Sequence, residues 1–223
     1  MNRHENLTRR PAGTPFFQPH GRFRPDISYL CGMDFFERIR NDYGLSAGAV
    51  RTLAAAAERI DAGRKTCLVR EGERDAWLYF VEEGSLRTYV MREDRCVILN
   101  FAFEGDPATS VLGVAPSGLA FATVETLEPS RLVRIPRMRM DELFRSSAEL
   151  ADWGRRMSER MLRSHEEYFA DYSWREKGKQ YFRLLAEFPE LLLRVPLKDL
   201  AAYLFVTPQT LSRIRAAVKR KLP

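Results

Sequence analysis

The sequence predicts an α+β chain: a small antiparallel β jelly roll, then a long helix, then a terminal helical pair. Three observations carry this expectation. Between Lys65 and Pro136, short apolar runs alternate with regularly placed turn signals, the pattern of short strands closing into a barrel or jelly roll. From Ser147 to Tyr172 the apolar positions change to helical spacing. Finally, Val195–Arg215, VPLKDLAAYLFVTPQTLSRIR, divides at a Thr-Pro into two segments of helical period.

In chain order, residues 1–25 mix Pro, Gly, Arg and His without periodicity, which predicts a mobile arm. Residues 26–145 are read as the jelly-roll domain. Its first part, Asp26 to Ile60, reads as helical: Phe35, Phe36 and Ile39 form one stripe, and Ser46 is a plausible N-cap for AGAVRTLAAAAERI. The expected strands are TCLV, AWLYFV, LRTYVM, CVILNFAF, FATVETL and RLVRI. The turns fall at Glu71-Gly72, Glu83-Gly84, Glu93-Asp94, Glu104–Pro107 and Ser117-Gly118. After Pro136 the strand signal stops, and Asp141–Phe144 reads as a short helix.

Residues 146–173 form the long helix. Leu150, Trp153, Met157, Met161, Tyr168 and Tyr172 lie on one side, and Arg155, Arg156, Glu159, Arg163 and Glu166 on the other. Such a stripe must be buried against its own barrel, against a second copy of the helix, or against both. Residues 174–223 form the terminal domain. REKGKQYFRLLAEFP reads as a helix ended by Pro189, and ELLLRV leads into the final pair.

In that pair, Pro196 can open a helix and Asp199 sits in its first turn, favourable to the helix dipole. Leu200 and Leu204 share a face, with Ala201 as a point of close approach. Thr207 is a natural N-cap and Pro208 a natural first residue for the second helix. Leu211, Ile214 and Val218 face inward; Gln209, Ser212, Arg213, Ala216 and Arg220 face outward. A helix of this layout can enter the major groove, where Gln pairs with adenine and Arg with guanine. Many helical hairpins have a polar face and bind nothing, so an ordinary packed pair stays open at this point. Phe205 stands where such turns often carry Gly, and a left-handed backbone there would be strained.

Charge favours an anionic partner. The net charge is +6, and the residues from Arg194 onward hold seven bases against the single acid Asp199, so this terminal stretch accounts for all of it. Cys31, Cys67 and Cys96 are widely spaced with no CxxC, so no zinc knuckle or disulfide framework is expected. The start lacks an apolar signal core and no run reaches membrane-spanning length, which predicts a cytoplasmic protein without membrane attachment.

VPLKDLAAYLFVTPQTLSRI resembles a motif of the Crp/Fnr family of bacterial transcription regulators, IPxKDLAxYLGVTPxTLSRI. The likeness extends back through YFRLLAEFPELLLRVP, similar to the family's linker into its winged-helix domain. REGERDAWLYFVEEGSLRTYV is similar to the first hairpins of its cyclic-nucleotide-binding-like jelly roll. The resemblance covers about residues 45–221. It implies a sensor jelly roll, a dimerisation helix at 146–173, and a C-terminal winged-helix or helix-turn-helix domain. By position, DNA contacts fall on Gln209, Thr210, Ser212 and Arg213, with Thr207 and Pro208 at the helix start. Lys198 and Arg215 are auxiliary phosphate contacts. The implied partners are double-stranded DNA with a palindromic operator, a second copy of the chain through the long helix, and an unidentified small-molecule effector.

Two departures bear on the effector. Cyclic-nucleotide-binding members carry a Gly-Glu pair, then an Arg followed by Ser or Thr and Ala. Aligned on Ala122-Thr123, the Arg position here holds Ala120, and no Gly-Glu follows Asp106. Neither cAMP nor cGMP is therefore expected as ligand. The cysteines do not group as the iron–sulfur branch requires, and His4, His20 and His165 have no motif, so no metal or cofactor is expected. A cupin-type enzyme would want clustered His on the barrel, and Lys65–Pro136 contains none. No catalytic set is found, and the expectation is a non-enzyme. The alternative to a regulator is a ligand- or protein-binding module of the same fold that has lost DNA binding; Phe205 and the absence of residues for a wing after Lys221 keep it open.

Overall fold

The computed structural model describes residues 34–109, 118–174 and 176–219. The expected mobile arm at 1–25 lies outside them, as do Cys31, Arg220 and Lys221. Two short helices come first, α1 (Phe35–Tyr43) and α2 (Ala47–Ala55). Asp34 caps α1 by accepting from the Phe36 and Glu37 N–H groups, and Ser46 caps α2 by accepting from the Ala49 N–H.

Seven strands follow: β1 (Glu58–Ala62), β2 (Cys67–Val69), β3 (Trp77–Glu83), β4 (Leu86–Arg92), β5 (Arg95–Ala102), β6 (Thr123–Thr126) and β7 (Ser130–Pro136). All pairs are antiparallel, in two sheets ordered β1-β7-β3 and β2-β6-β4-β5. Four of the expected turns therefore fall at the junctions between successive strands, Ser117 of the fifth lies outside the described residues, and the α+β jelly-roll expectation holds. At the β3–β4 turn, Gly84 has φ +109, and an added Cβ would lie 2.3 Å from Ser130 Oγ and 2.8 Å from Ser130 Cα. Only glycine fits there.

Ile60 corrects the sequence expectation. Helix was expected through AERI, but α2 ends at Ala55 and Glu58–Ala62 is an edge strand paired with β7. Helix-favouring Ala and Glu are overridden by pairing to the sheet, and Arg134 on β7 donates to the Glu58 carboxylate at 2.8 and 3.0 Å.

Both sheets are buried on both faces. Between them lies a core of Val69, Tyr79, Val81, Leu86, Ala102, Ala120, Val124 and Leu132. The outer face of the three-stranded sheet, with Leu78, Phe80, Val133 and Ile135, is covered by α1, α2, α3 (Arg137–Ser146) and α4 (Ala148–Trp174). Helix α3 is longer than the expected Asp141–Phe144 segment. The outer face of the four-stranded sheet, with Ile98, Phe101 and Phe103, is covered by the C-terminal helices. These are α5 (Lys177–Glu187), α6 (Pro189–Arg194), α7 (Leu197–Tyr203) and α8 (Pro208–Lys219). Pro189 begins α6 rather than ending α5, in the first-turn position where its missing donor costs nothing. No wing strand occurs among the described residues after Trp174.

The long helix packs in part on its own barrel. Leu150, Trp153 and Met157 are buried against the chain's own Phe80, Met140 and Leu143. Tyr168 stacks on Tyr203 at 4.8 Å and donates its hydroxyl to the Tyr203 carbonyl at 2.6 Å. Leu150, Trp153, Met157 and Tyr168 of the predicted stripe thus pack within the chain. A different line on α4 is left exposed, with Leu162 and Phe169 at 61% and 69% accessibility. No helix among the described residues is long and apolar enough to cross a membrane.

Candidate nucleic-acid interface

Helices α7 and α8 form the candidate site. Leu200 and Ala201 of α7 and Leu204 at its C-terminal cap are buried with Leu211 of α8, which is wholly inaccessible, and Ile214 and Val218 pack against the same cluster. Thr207 caps α8: its Oγ1 accepts from the Thr210 N–H at 3.1 Å and its hydroxyl donates to Thr210 Oγ1 at 3.0 Å. Pro208 is the first residue of the helix. These contacts fix which way α8 faces.

With Leu211 inward, Gln209, Ser212, Arg213 and Ala216 are exposed on the opposite side. Their spacing keeps them on one face. Arg215 is exposed on the flank of that face, Thr210 is half-buried on the other flank, and Thr207 and Pro208 are exposed at its N-terminal end. Lys198 is exposed in the first turn of α7. The structure therefore brings Thr207, Pro208, Gln209, Ser212 and Arg213 to one surface, with Thr210 spent partly on the cap.

The turn between the helices is closed by Phe205. Its φ is +53°, in the left-handed region. The Phe205 N–H reaches the Ala202 carbonyl at 3.2 Å, and the Val206 N–H reaches the Ala201 carbonyl at 3.0 Å. This pair of bonds is a Schellman motif, which ordinarily takes Gly at the left-handed position. The turn geometry is kept with an aromatic residue in it.

Sequence reasoning missed what stands behind the helix pair. On the outer face of β4, Arg87 donates from Nη1 to Asp199 Oδ1 at 2.5 Å and from Nη2 to Glu125 Oε1 at 2.8 Å. Burial works against its charge, but the carboxylates of Asp199 and Glu125 outweigh that and hold the guanidinium above its ordinary pKa. At the end of α6, Arg194 bonds both Glu104, at 2.8 and 2.9 Å, and Glu128, at 2.5 and 3.0 Å. It also lies 5.1 Å from the Phe103 ring centre. Burial alone would raise the Glu104 pKa; Arg194 and the Gly84 N–H prevail and lower it. The available signal was Asp199 itself, a lone acid in a basic terminal stretch.

The barrel shows what the effector reading needs. Ala120 is buried, its carbonyl accepting from the Gly72 N–H and its N–H donating to the Glu73 carbonyl, both at 2.8 Å. A methyl group thus occupies the position where a phosphate-binding Arg was sought. Residues 110–117, next to it, lie outside the described residues. Cys67 and Cys96 are free thiols whose pKa values are pushed up by burial. No cluster of three His, Cys, Asp or Glu gathers among the described residues. An open groove of about 520 Å³ lies outside the barrel, between α1, α2 and β1.

The family model described as Cyclic nucleotide-binding domain matches residues 60–147. Several solved structures share this fold over most of the chain. FixK2 from Bradyrhizobium japonicum is 19% identical, with 74% of this chain and 85% of that chain covered at a TM-score of 0.66. CLP of Xanthomonas campestris, described as a c-di-GMP responsive global regulator, is 19% identical, with 79% and 93% covered at 0.64. A transcriptional regulator of the Crp/Fnr family from Eubacterium rectale is 18% identical, with 83% and 88% covered at 0.64. The chain has the Crp/Fnr regulator fold. A search of curated protein sequences gave no match. The Cyclic nucleotide-binding domain model covers the β-sheets and α3 of this chain, and α7 and α8 lie C-terminal to the matched residues.

Proposed function

We propose that the chain is a sequence-specific DNA-binding transcription regulator that acts as a homodimer. The observation that carries this is the exposed face of α8, where Gln209, Ser212 and Arg213 surround no apolar residue larger than Ala216 and lie opposite the buried Leu211. Gln209 and Arg213 read base edges. Lys198 and Arg215 contact phosphates, and Thr207, Pro208 and Thr210 set the helix start. The regulators that share the fold support this reading. The division of labour is a sensor domain at 26–145, a dimer helix at 146–173 and a reader at 174–223.

The dimer contact uses the exposed line on α4 rather than the buried stripe. Ser158, Leu162, His165 and Phe169 are all exposed and spaced by four, three and four residues, as in a coiled-coil seam. Two copies related by a two-fold axis present their α8 helices to half-sites about one helical turn, roughly 34 Å, apart. The protein is cytoplasmic. The sensor binds neither cAMP nor cGMP, because the phosphate position holds Ala120; submicromolar cAMP binding by calorimetry would contradict this.

Arg213→Ala tests the reading. On the duplex that the wild-type protein enriches from a random pool, it is expected to lose about 1–3 kcal/mol and to relax preference at one base in each half-site. The competing reading, a protein-binding module that has lost DNA contact, draws on the 44% exposure of Phe205 at the turn. It predicts that Arg213→Ala changes nothing.

A further inference from the structure

Strand β4 faces two ways. Leu86, Thr88 and Val90 are buried, Leu86 in the core between the sheets, while the alternate residues Arg87 and Tyr89 are half-buried under the C-terminal helices. Adjacent residues on a strand point to opposite faces, about 3.3 Å apart along it. Arg87 stands over the Tyr89 ring at 4.6 Å and pairs across the strands with Phe101, whose ring lies 5.3 Å from that of Tyr203 on α7. The Arg87–Asp199 ion pair bridges sheet and helix, with both side chains shielded from solvent.

We propose that β4 couples the barrel to the DNA-reading helices, with Arg87 as the positioning residue that sets the angle of α7 through its ion pair with Asp199. This rests on the DNA reading proposed above. Asp199 is the single acid from Arg194 onward, and beside a phosphate backbone an unpaired carboxylate there would repel. Its pairing on the barrel side neutralises it and leaves the reading face of α8 outward. Any change in what packs on Leu86, Thr88 or Val90 shifts Arg87, and through Asp199 the tilt of the helix pair. The sheet, and not only the long helix, then addresses the DNA.

The test uses full-length Arg87→Met, Asp199→Asn, the double variant and Arg87→Lys, on the wild-type-enriched duplex and on a scrambled duplex of equal length. Asp199→Asn removes a negative charge, yet it is expected to weaken binding to the enriched duplex about tenfold. Binding to the scrambled duplex, which is set by phosphate contacts, should stay within about twofold. Arg87→Met should behave the same way, the double variant should be no worse than the weaker single, and Arg87→Lys should recover most of the loss. A charge effect alone has the opposite sign: Asp199→Asn would tighten both duplexes, and that overturns the proposal. Additive losses in the double variant overturn it too. So do equal losses on both duplexes with a lower thermal midpoint, which mark a folding defect. A wild type that enriches no duplex sinks DNA reading itself and this role with it. That is a separate result from a wild type that reads DNA beside an Arg87→Met variant that reads it equally well.

Discussion

Phe205 concentrates a conflict between local conformation and fold. A left-handed non-glycine residue costs about 1–2 kcal/mol, and here it is held by the two carbonyl bonds at the end of α7. Phe205→Gly is therefore expected to raise stability by about 1 kcal/mol in thermal or urea unfolding, whereas Phe205→Ala, which keeps the Cβ, should give no such gain. A second residue-scale prediction concerns Glu104. Its pKa is lowered in the fold, so its contribution is complete above the ordinary glutamate value of about 4.3 and is lost as pH falls through the lowered value. Hydrogen exchange in α6 and α7 should accelerate across that acid range in the wild type, and Glu104→Gln should flatten this dependence. Arg194→Met leaves Glu104 and Glu128 facing each other without a cation and is expected to cost about 3 kcal/mol.

At the scale of elements, α4 carries two distinct apolar lines. The one with Leu150, Trp153 and Met157 holds the helix to its own barrel, and the one with Leu162 and Phe169 is exposed and is the proposed dimer seam. Leu162→Glu with Phe169→Glu should yield a monomer by light scattering while leaving the folded circular dichroism signal unchanged; an unaltered dimer would place the seam elsewhere. This distinction could not be read from spacing, because both lines satisfy helical period and only the packed structure says which one the barrel takes. Most strands were legible, since their apolar runs end at turn residues that the backbone requires, as at Gly84. Strand β1 was not. Its ERIDA text has helical composition, and its identity comes from pairing with β7, more than sixty residues away. The cap at Thr207 and Pro208 was legible because capping is a local interaction.

For the whole molecule, the two sheets enclose one core and each also serves as a floor for a set of helices. Ile98, Phe101 and Phe103 point out of the barrel, yet they are buried because the C-terminal helices lie on them. From sequence, the barrel and the C-terminal helices looked like separate modules, and the arginines that join them are 112 and 66 to 90 residues from their partners. Such long-range pairs leave no periodic trace. The reading face of α8, in contrast, followed from helical spacing around Leu211. The proposal to be tested is that this face reads DNA as part of a two-fold dimer. Selection of bound duplexes from a random pool by the full-length protein measures that most directly. The account predicts enrichment of an inverted repeat with half-site centres about 10 base pairs apart. Recovery of an unenriched pool, or of a single asymmetric site, would contradict it.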